Sequence, residues 1–446
     1  MVVGGGPSGA ACAYWLAEAG HDVLLVEKKR YPREKTCGDG LTPRAVKQLD
    51  DMGLADVLAR HHRFGGLRSI AFGRTLELEW PDTPGLPRHG YVVTRHDLDA
   101  AVAERAAKAG AVLWQDSEAV EPVVEGGRVR GAVVRRRPAW PERSGRPAWP
   151  ERSGRPQGKG GPETTAEVRA RYVVVADGAN SRFGRALGTT RNRDWPQGMA
   201  IRGYYTSPRH DEPWIESHLD VRDQAGNVLP GYGWIFPVGD GRVNVGVGLL
   251  STFSHWKSVN TSKLMDAFVG WAPESWGIAP ETACGPATGG RLPMGLSVGP
   301  ATGPGWLVTG DAVAAINPFN GEGIAYAYET GRMAAEALQA ALAGRRGPSA
   351  GAGGDGELAS YDHRLQAEYA LYFKVARAFV KIIGRPALMR ALVGTGMHSR
   401  TLMEWVLRIM ANMLRPDELG PAEAAYRAVA AIARLAPDRR SASALR

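Results

Sequence analysis

The chain opens on a short apolar run, MVV, that enters GGGPSG. A helical pattern follows over roughly residues 8–19, and HDVLLVE then reads as a buried strand closing at Glu27. The first strand has at most three residues, where five or six are usual, so it is either clipped or the chain begins a few codons upstream. GGRVRGAVV and AEVRARYVVVADG read as strands on either side of residues 137–162. MAIRGYYT and GWIFPVGDGRVNVGVG predict mostly β structure across 199–250, with a hairpin around Gly239-Asp240-Gly241. Within it, GYGWIFP places Tyr232, Trp234 and Phe236 two apart, hence on one face of a strand, with Pro237 ending the run. A Gly-rich break at 341–358 precedes a stretch that reads as helical almost to the end.

One segment fits neither period. RPAWPERSG occurs twice in tandem over 137–154 and trails into RPQGKGGPE. It is Pro- and Gly-rich and charged, so it is expected to be a flexible surface insertion at a hairpin tip, with Trp140 and Trp149 as solvent-tolerant ornaments. Composition allows a sizeable core, with 446 residues of which 44% are hydrophobic. No apolar run approaches the ~18 residues of a membrane span, and no signal peptide is seen. Cys12, Cys37 and Cys284 form no C-x-x-C pair, which favours a reducing cytoplasm and disfavours structural zinc, a disulfide framework or a four-thiolate iron–sulfur cluster. The net charge is +9. Residues 135–162 carry +6 and residues 361–446 carry +7, leaving the remainder mildly acidic. No nucleic-acid motif accompanies either basic stretch, so nucleic acid is not an expected partner.

The chemistry begins at Gly4-Gly5-Gly6-Pro7-Ser8-Gly9, a G-x-G-x-x-G directly after a strand and opening a helix. Gly4 permits the turn, Gly6 lets backbone approach a pyrophosphate, and Gly9 lets helix and strand approach closely. The phosphates would sit on the helix N-terminus at Pro7 and Ser8. Glu27, eighteen residues after Gly9, stands where a carboxylate takes ribose hydroxyls. Together these predict dinucleotide binding. Two later stretches select FAD by resemblance. Asp177-Gly178 in RYVVVADGANSRFGR and Gly310-Asp311 in WLVTGDAVAAINPFNGEGI resemble the DG and GD motifs of flavoprotein hydroxylases and their relatives, the p-hydroxybenzoate hydroxylase-like fold. The resemblance implies that Asp311 binds the ribityl chain and that the helix N-terminus at Gly323–Ile324 faces the flavin pyrimidine. There its dipole would favour the anionic reduced flavin. It also places Arg95, ahead of a helix capped near His96–Asp97, by the phosphates or ribose. Ala119 falls in a short strand whose backbone holds the adenine, and Asp177 supports the fold around the cofactor.

PREKTCGDGLTPRA at 32–45, taken with GYGWIFP, resembles the geranylgeranyl reductase family, flavoenzymes that saturate isoprenoid double bonds. The family's P-x-x-Y-x-W-x-F-P is present as Tyr232, Trp234, Phe236 and Pro237, although Pro230 stands two residues before Tyr232 instead of three. Its C-G-G-G-L loop appears as Cys37-Gly38-Asp39-Gly40-Leu41, with Asp39 in place of a glycine. The resemblance covers residues 1–410 apart from 137–162. It implies cofactor contacts from Lys35 and Gly38, an acid or acid-positioning role for Cys37, and an alkene-facing wall from Tyr232 and Trp234. CGDGLTPRAV, LPGYGWIFP and NPFNGEGI look most similar to members that saturate one isoprene unit, the β unit, of the menaquinone side chain. A geranylgeranyl lipid or diphosphate is the alternative substrate, and the electron donor, NAD(P)H or a redox protein, stays open. A flavin monooxygenase or halogenase acting on a small aromatic competes less well, since halogenases of this fold carry W-x-W-x-I-P. A non-catalytic isoprenoid- or quinone-binding flavoprotein is the other competitor.

The expected architecture is an α/β, Rossmann-type FAD domain from 1–64, 88–202 and 285–340, with an interleaved β-sheet substrate domain from 65–87 and 203–284 and a helical region over 341–446. A bilayer-dissolved substrate implies a cytoplasmic protein peripheral to the inner face of the cell membrane. LYFKVARAFVKIIGR at 371–385 supplies the expected interfacial helix, with Lys374, Arg377, Lys381 and Arg385 on one stripe and Leu371, Tyr372, Val375, Phe379 and Ile382 on the other.

Overall fold

A six-stranded sheet gathers the apolar runs of the sequence in the order Thr302–Gly303, Trp306–Val308, Val173–Val175, Val2–Val3, Leu24–Val26 and Val112–Trp114. These strands come from a computed structural model of the chain, which describes residues 1–136, 163–343, 353–415 and 420–435. All pairings are parallel except that of the edge strand Thr302–Gly303. Helices Pro7–Glu18, Arg95–Lys108 and Ile324–Ala343 pack together beside this sheet. Sheets covered by crossover helices bury both strand faces, and Val2, Leu25, Val173 and Leu307 are all fully buried here. The expected α/β, Rossmann-type class therefore holds. The opening strand spans Val2–Val3 and pairs with Leu25–Val26 on one side and Val174–Val175 on the other.

A second sheet of seven strands runs Thr288–Pro293, Gln197–Thr206, Arg242–Leu250, Gly231–Pro237, Trp214–His218, Gly66–Ala71 and Arg74–Glu79. It thus takes its edge strand from residues 288–293. Its two faces follow from the period of two. Val243, Val245, Val247, Leu249 and Ile235 point to the side covered by helix Thr261–Trp271, in a cluster with Leu264, Met265 and Phe268. Tyr232, Trp234 and Phe236 point the other way, opposite Gly248, Gly246 and Asn244 of the neighbouring strand. Arg202 and Tyr204 share that face through their pairing with Gly246 and Asn244. The alternation in NVGVG thus puts valines on the core side and leaves glycines where the rings need room. A Cβ on Gly233 would overlap the Phe268 ring behind the strand.

The C-terminal part is helical as expected, with helices Gly353–Leu365, Leu371–Ile383, Pro386–Gly396, Arg400–Met410 and Pro421–Leu435. The expectation for 371–385 needs correction. Tyr372, Phe373, Val375, Ala376 and Val380 are buried, and so is Arg377, the expected centre of the basic stripe. The Arg377 guanidinium donates to the Gly295 carbonyl at 2.9 Å and lies 3.6 Å from the Trp195 ring centre. A planar cation that stacks and hydrogen-bonds can be buried where an ammonium would not be, so this helix is a packed element. A second correction concerns Arg95. The helix cap is Thr94, whose side chain accepts from the Asp97 N–H, so Arg95 is the first helical residue. A third concerns Ala119, which lies in a nine-residue strand, Ser117–Glu125, not a short one. The expected flexible repeat, with Trp140 and Trp149, falls outside the described residues; the strands flanking it are antiparallel neighbours, Arg136 opposite Thr164.

Candidate active site

The glycine loop and the Gly310-Asp311 turn meet at Ser8. A Cβ on Gly9 would overlap the Gly4 carbonyl oxygen, and one on Gly310 would overlap the Ser8 hydroxyl. Gly4 (φ +99) and Gly310 (φ +63) also occupy left-handed backbone that glycine adopts without strain. Helix Pro7–Glu18 starts with Gly6 as its N-cap and has no side-chain cap, so its first N–H groups are left for another acceptor. A Cβ on Gly6 would enter open space, with only Arg33 Nη2 nearby at 3.8 Å. A diphosphate fits this combination of free helix N–H groups, open space and a guanidinium. Glu27 is buried and accepts from the Gly5 and Lys29 N–H groups at 2.8 and 2.9 Å. Beside it, Asp99 takes a two-pronged ion pair from Arg95 at 2.7 and 2.8 Å and a further contact from Arg33 at 3.0 Å. Arg33 was not singled out from the sequence; its signal was a basic residue six positions after the strand-closing acid.

Further along, the Asp311 carboxyl abuts the start of helix Ile324–Ala343. A Cβ on Gly323 would lie 3.4 Å from Asp311 Oδ1. Burial pushes the Asp311 carboxyl up, while Lys35 and Arg95 pull it down. Desolvation lowers the Lys35 ammonium against the pull of Asp311. Cys37 faces the same charges: burial raises its thiol, and the Arg95 guanidinium and the Asp39 N–H lower it. Lys35, Cys37, Arg95 and Asp311 are therefore near enough to act on one another's charge. Ala119 lies opposite Val134 on the strand after Asp116, and Asp177 accepts from the Phe183 N–H at 3.1 Å, holding its own turn.

The loop through Cys37 runs along the aromatic face of the seven-stranded sheet. Cβ positions on Gly38 and Gly40 would lie 3.4 and 3.1 Å from Phe236 Cε2, so the two glycines let backbone lie against the rings. Tyr232, Trp234 and Phe236 follow one another at centroid distances of 5.8 and 6.3 Å. Tyr232 donates to the Asn320 carbonyl at 2.7 Å, tying the wall to the turn before helix Ile324–Ala343. Burial, with Cys37 and Glu322 nearby, pushes the Tyr232 hydroxyl up to about 12. Both Cys37 and Tyr232 are thus protonated at neutral pH, which is the state a proton donor needs. Three polar residues on this face carried no signal beyond their strand parity. Trp234 Nε1 donates to Asn244 at 2.9 Å, Tyr204 donates to Asp39, and Arg202 donates to the Cys37 carbonyl at 3.2 Å. Glu322 was also missed. It accepts from the Thr42 hydroxyl, while its Oε2 is buried without a partner.

A parallel sheet with a glycine loop at its first turn, a GD turn on the same helix and a second sheet facing them define an FAD-dependent oxidoreductase. Comparison with known proteins agrees: a family model described as an FAD binding domain matches residues 1–201. The chain is 38% identical to the menaquinone reductase of Mycolicibacterium smegmatis, covering 94% of this chain and 92% of that one. It is 30% identical to digeranylgeranylglycerophospholipid reductase 1 of Methanopyrus kandleri over 77% and 80% of the two chains. A solved structure of a geranylgeranyl bacteriochlorophyll reductase-like protein from Thermoplasma acidophilum superposes with a TM-score of 0.72, at 22% identity and 96% and 98% coverage. The chain belongs to the geranylgeranyl reductase family of FAD-dependent oxidoreductases, in the branch that includes the menaquinone reductases.

Proposed function

We propose that the protein saturates one isoprene double bond, that of a menaquinone side chain. The observation that carries this reading is the Tyr232–Trp234–Phe236 face laid against the glycines of the Cys37 loop; the reading places the isoprene unit in a slot along this face. The similarity to menaquinone reductases over nearly the whole chain supports the quinone tail over a geranylgeranyl lipid or diphosphate. The cofactor is held by Gly4, Gly6, Pro7, Ser8, Gly9 and Arg95 at the diphosphate, Glu27 and Ala119 at the adenosine half, and Lys35, Gly38, Asp311, Gly323 and Ile324 toward the flavin. In this division, with the expected bounds moved because strands Gln197–Thr206 and Thr288–Pro293 lie in the seven-stranded sheet, 1–64, 88–196 and 294–340 serve the cofactor and 65–87 and 197–293 the substrate.

Saturating an isolated alkene adds one hydride and one proton across the C=C bond. Bound FAD, once reduced by NAD(P)H or a redox protein, supplies the hydride. The chain supplies the proton, and Cys37 Sγ holds it at the edge of the slot. Arg95 and the Asp39 N–H stabilise the thiolate left behind. The Tyr232 and Trp234 ring faces favour positive character on the alkene carbon by ~1–2 kcal/mol when desolvated. The slot's burial keeps water from the reacting carbons.

The test is mass spectrometry of quinones and lipids from cells expressing the chain. A gain of two hydrogens on menaquinone supports the reading, and one confined to geranylgeranyl lipids overturns it in favour of the alternative. Cys37→Ser and Tyr232→Phe should each lower turnover by roughly tenfold with FAD retained; wild-type turnover in both removes the two residues from the mechanism.

Access to a bilayer-dissolved tail points to a peripheral membrane site on the cytoplasmic side. Among the described residues no helix is long and apolar enough to cross a membrane. The exposed apolar residues that suit lipid run from the end of the expected helix into the two helices that follow. Ile382, Leu388, Leu392 and Leu402 are 37–49% exposed, and Lys381, Arg385, Arg390 and Arg400 are exposed among them. Flotation on anionic vesicles checks this, with loss of binding expected in Leu388→Glu/Leu392→Glu.

A further inference from the structure

Asp39 occupies a position where the family's loop has glycine, and its backbone shows why glycine suits it: φ is +64. An aspartate there sacrifices backbone comfort, so its side chain must return something. Every part of that side chain is engaged, although it is fully buried. One oxygen accepts from the Tyr204 hydroxyl and from Asn244 Nδ2, the latter at 2.8 Å, and the other accepts from the Arg95 N–H at 3.3 Å. The same Asn244 amide also donates to the Cys37 carbonyl at 2.9 Å, and its oxygen accepts from Trp234 Nε1 at 2.9 Å. The Asp39 carbonyl in turn accepts from the Val93 N–H at 3.0 Å. A continuous set of bonds therefore joins the Cys37 loop, the Trp234 ring and the start of the Arg95 helix, with the Asp39 carboxylate as the shared acceptor.

We propose that Asp39 is a positioning residue that locks the Cys37 thiol and the Trp234 ring in one register, so that the proton donor and the aromatic wall of the slot move as one body. The proposal rests on the reading of Cys37 and Trp234 given above, but its mechanical part can be tested without any substrate. The groups facing the carboxylate are Tyr204, Asn244 and Arg202 from the sheet and Arg95 and Cys37 from the loop and helix. Burial outweighs these donors and raises the Asp39 carboxyl to about 6. Its protonation, which costs the cluster its charged acceptor, therefore falls within an accessible pH range.

The experiment uses the FAD-loaded full chain carrying Cys284→Ser, which removes the exposed thiol and leaves Cys12 buried and Cys37 as the reporter. Cys37 modification by an aromatic disulfide reagent is followed with and without Asp39→Gly, Asp39→Asn and Tyr204→Phe. Asp39→Asn keeps an oxygen for Tyr204 and Asn244 but not the charge, so at every pH it should label as wild type does below about 6, more slowly than Asp39→Gly. Asp39→Gly leaves both donors without an acceptor and should speed labelling about tenfold. Turnover in Asp39→Gly should fall about tenfold at little-changed KM, because the loss is of alignment and not of binding. Wild-type labelling and turnover should change as pH falls through about 6, and in Asp39→Asn that change should be absent. If Asp39→Gly does not hold FAD, Tyr204→Phe, which removes one donor and keeps the carboxylate, should still raise labelling about threefold. Equal labelling in wild type, Asp39→Gly and Tyr204→Phe overturns the proposal, as does an Asp39→Asn variant as labile as Asp39→Gly. Failure of menaquinone turnover with the labelling pattern intact would overturn the substrate reading alone.

Discussion

Glu322 offers a test of the electrostatics that needs neither substrate nor donor. Its Oε2 is buried with no partner, its other oxygen accepts from Thr42, and Arg44, whose charge acts on it, is committed to Glu329 at 2.6 Å. Burial, reinforced by the Glu329 charge, raises its pKa from 4.5 to about 7. The folded protein therefore holds this proton more tightly than the unfolded chain does. The favourable contribution is complete below the unfolded value and is lost as pH rises through the folded one. A rise of about 2.5 units corresponds to roughly 3 kcal/mol of stability lost between pH ~4.5 and pH ~7. Glu322→Gln, which mimics the protonated acid and keeps the acceptor for Thr42, should be insensitive over that window. At roughly 2 cal/mol/K per residue the chain unfolds with an entropy of about 0.9 kcal/mol/K. The difference in Tm between variant and wild type should thus move by roughly 3 °C in favour of glutamine between pH ~5 and pH ~8. Thermal melts of the full chain at the two pH values measure it. A difference that does not change with pH, or that changes in favour of glutamate, would refute the claim that this carboxyl is held protonated.

Other outcomes follow from close approaches. Gly9→Ala should lower the flavin content of purified protein at least about tenfold, read from visible absorbance, because its methyl overlaps the Gly4 carbonyl oxygen. Gly246→Ala would put a methyl into the Trp234 ring, 2.6 Å from the Ile201 carbonyl oxygen. It should cost about 1–3 kcal/mol and more than tenfold in turnover with flavin retained. Arg377→Met should lower Tm by about 2–4 °C, whereas a guanidinium on a solvated stripe would leave it unchanged.

How much could be read from the sequence depended on how locally each requirement is imposed. Gly4, Gly9 and Gly310 are dictated by the backbone around them, so the glycine loop and the GD turn were visible at once. The common face of Tyr232, Trp234 and Phe236 follows from strand parity alone. The residues missed or misplaced owe their roles to distant partners. Asp39 meets Tyr204 165 positions away, Thr42 meets Glu322 280 positions away, and Arg377 meets the Gly295 carbonyl 82 positions away. No helical or strand period encodes such pairings. The stripes of 371–385 are real, but burial takes most of the apolar one together with Arg377, which Trp195 and Gly295 cover, and leaves Lys381 and Arg385 exposed.

The pairing of Arg136 with Thr164 has a consequence for how this gene can vary. The tandem RPAWPERSG segment lies in sequence between two residues that face each other on one rung of a ladder. The entropy of closing such an excursion grows only logarithmically with its length, by about 0.6 kcal/mol per doubling. Replication slippage that adds or deletes a nine-residue copy therefore leaves the ladder register intact. Copy number at this point should drift almost neutrally among strains, and the same rung is a natural place to splice in an affinity handle or a reporter.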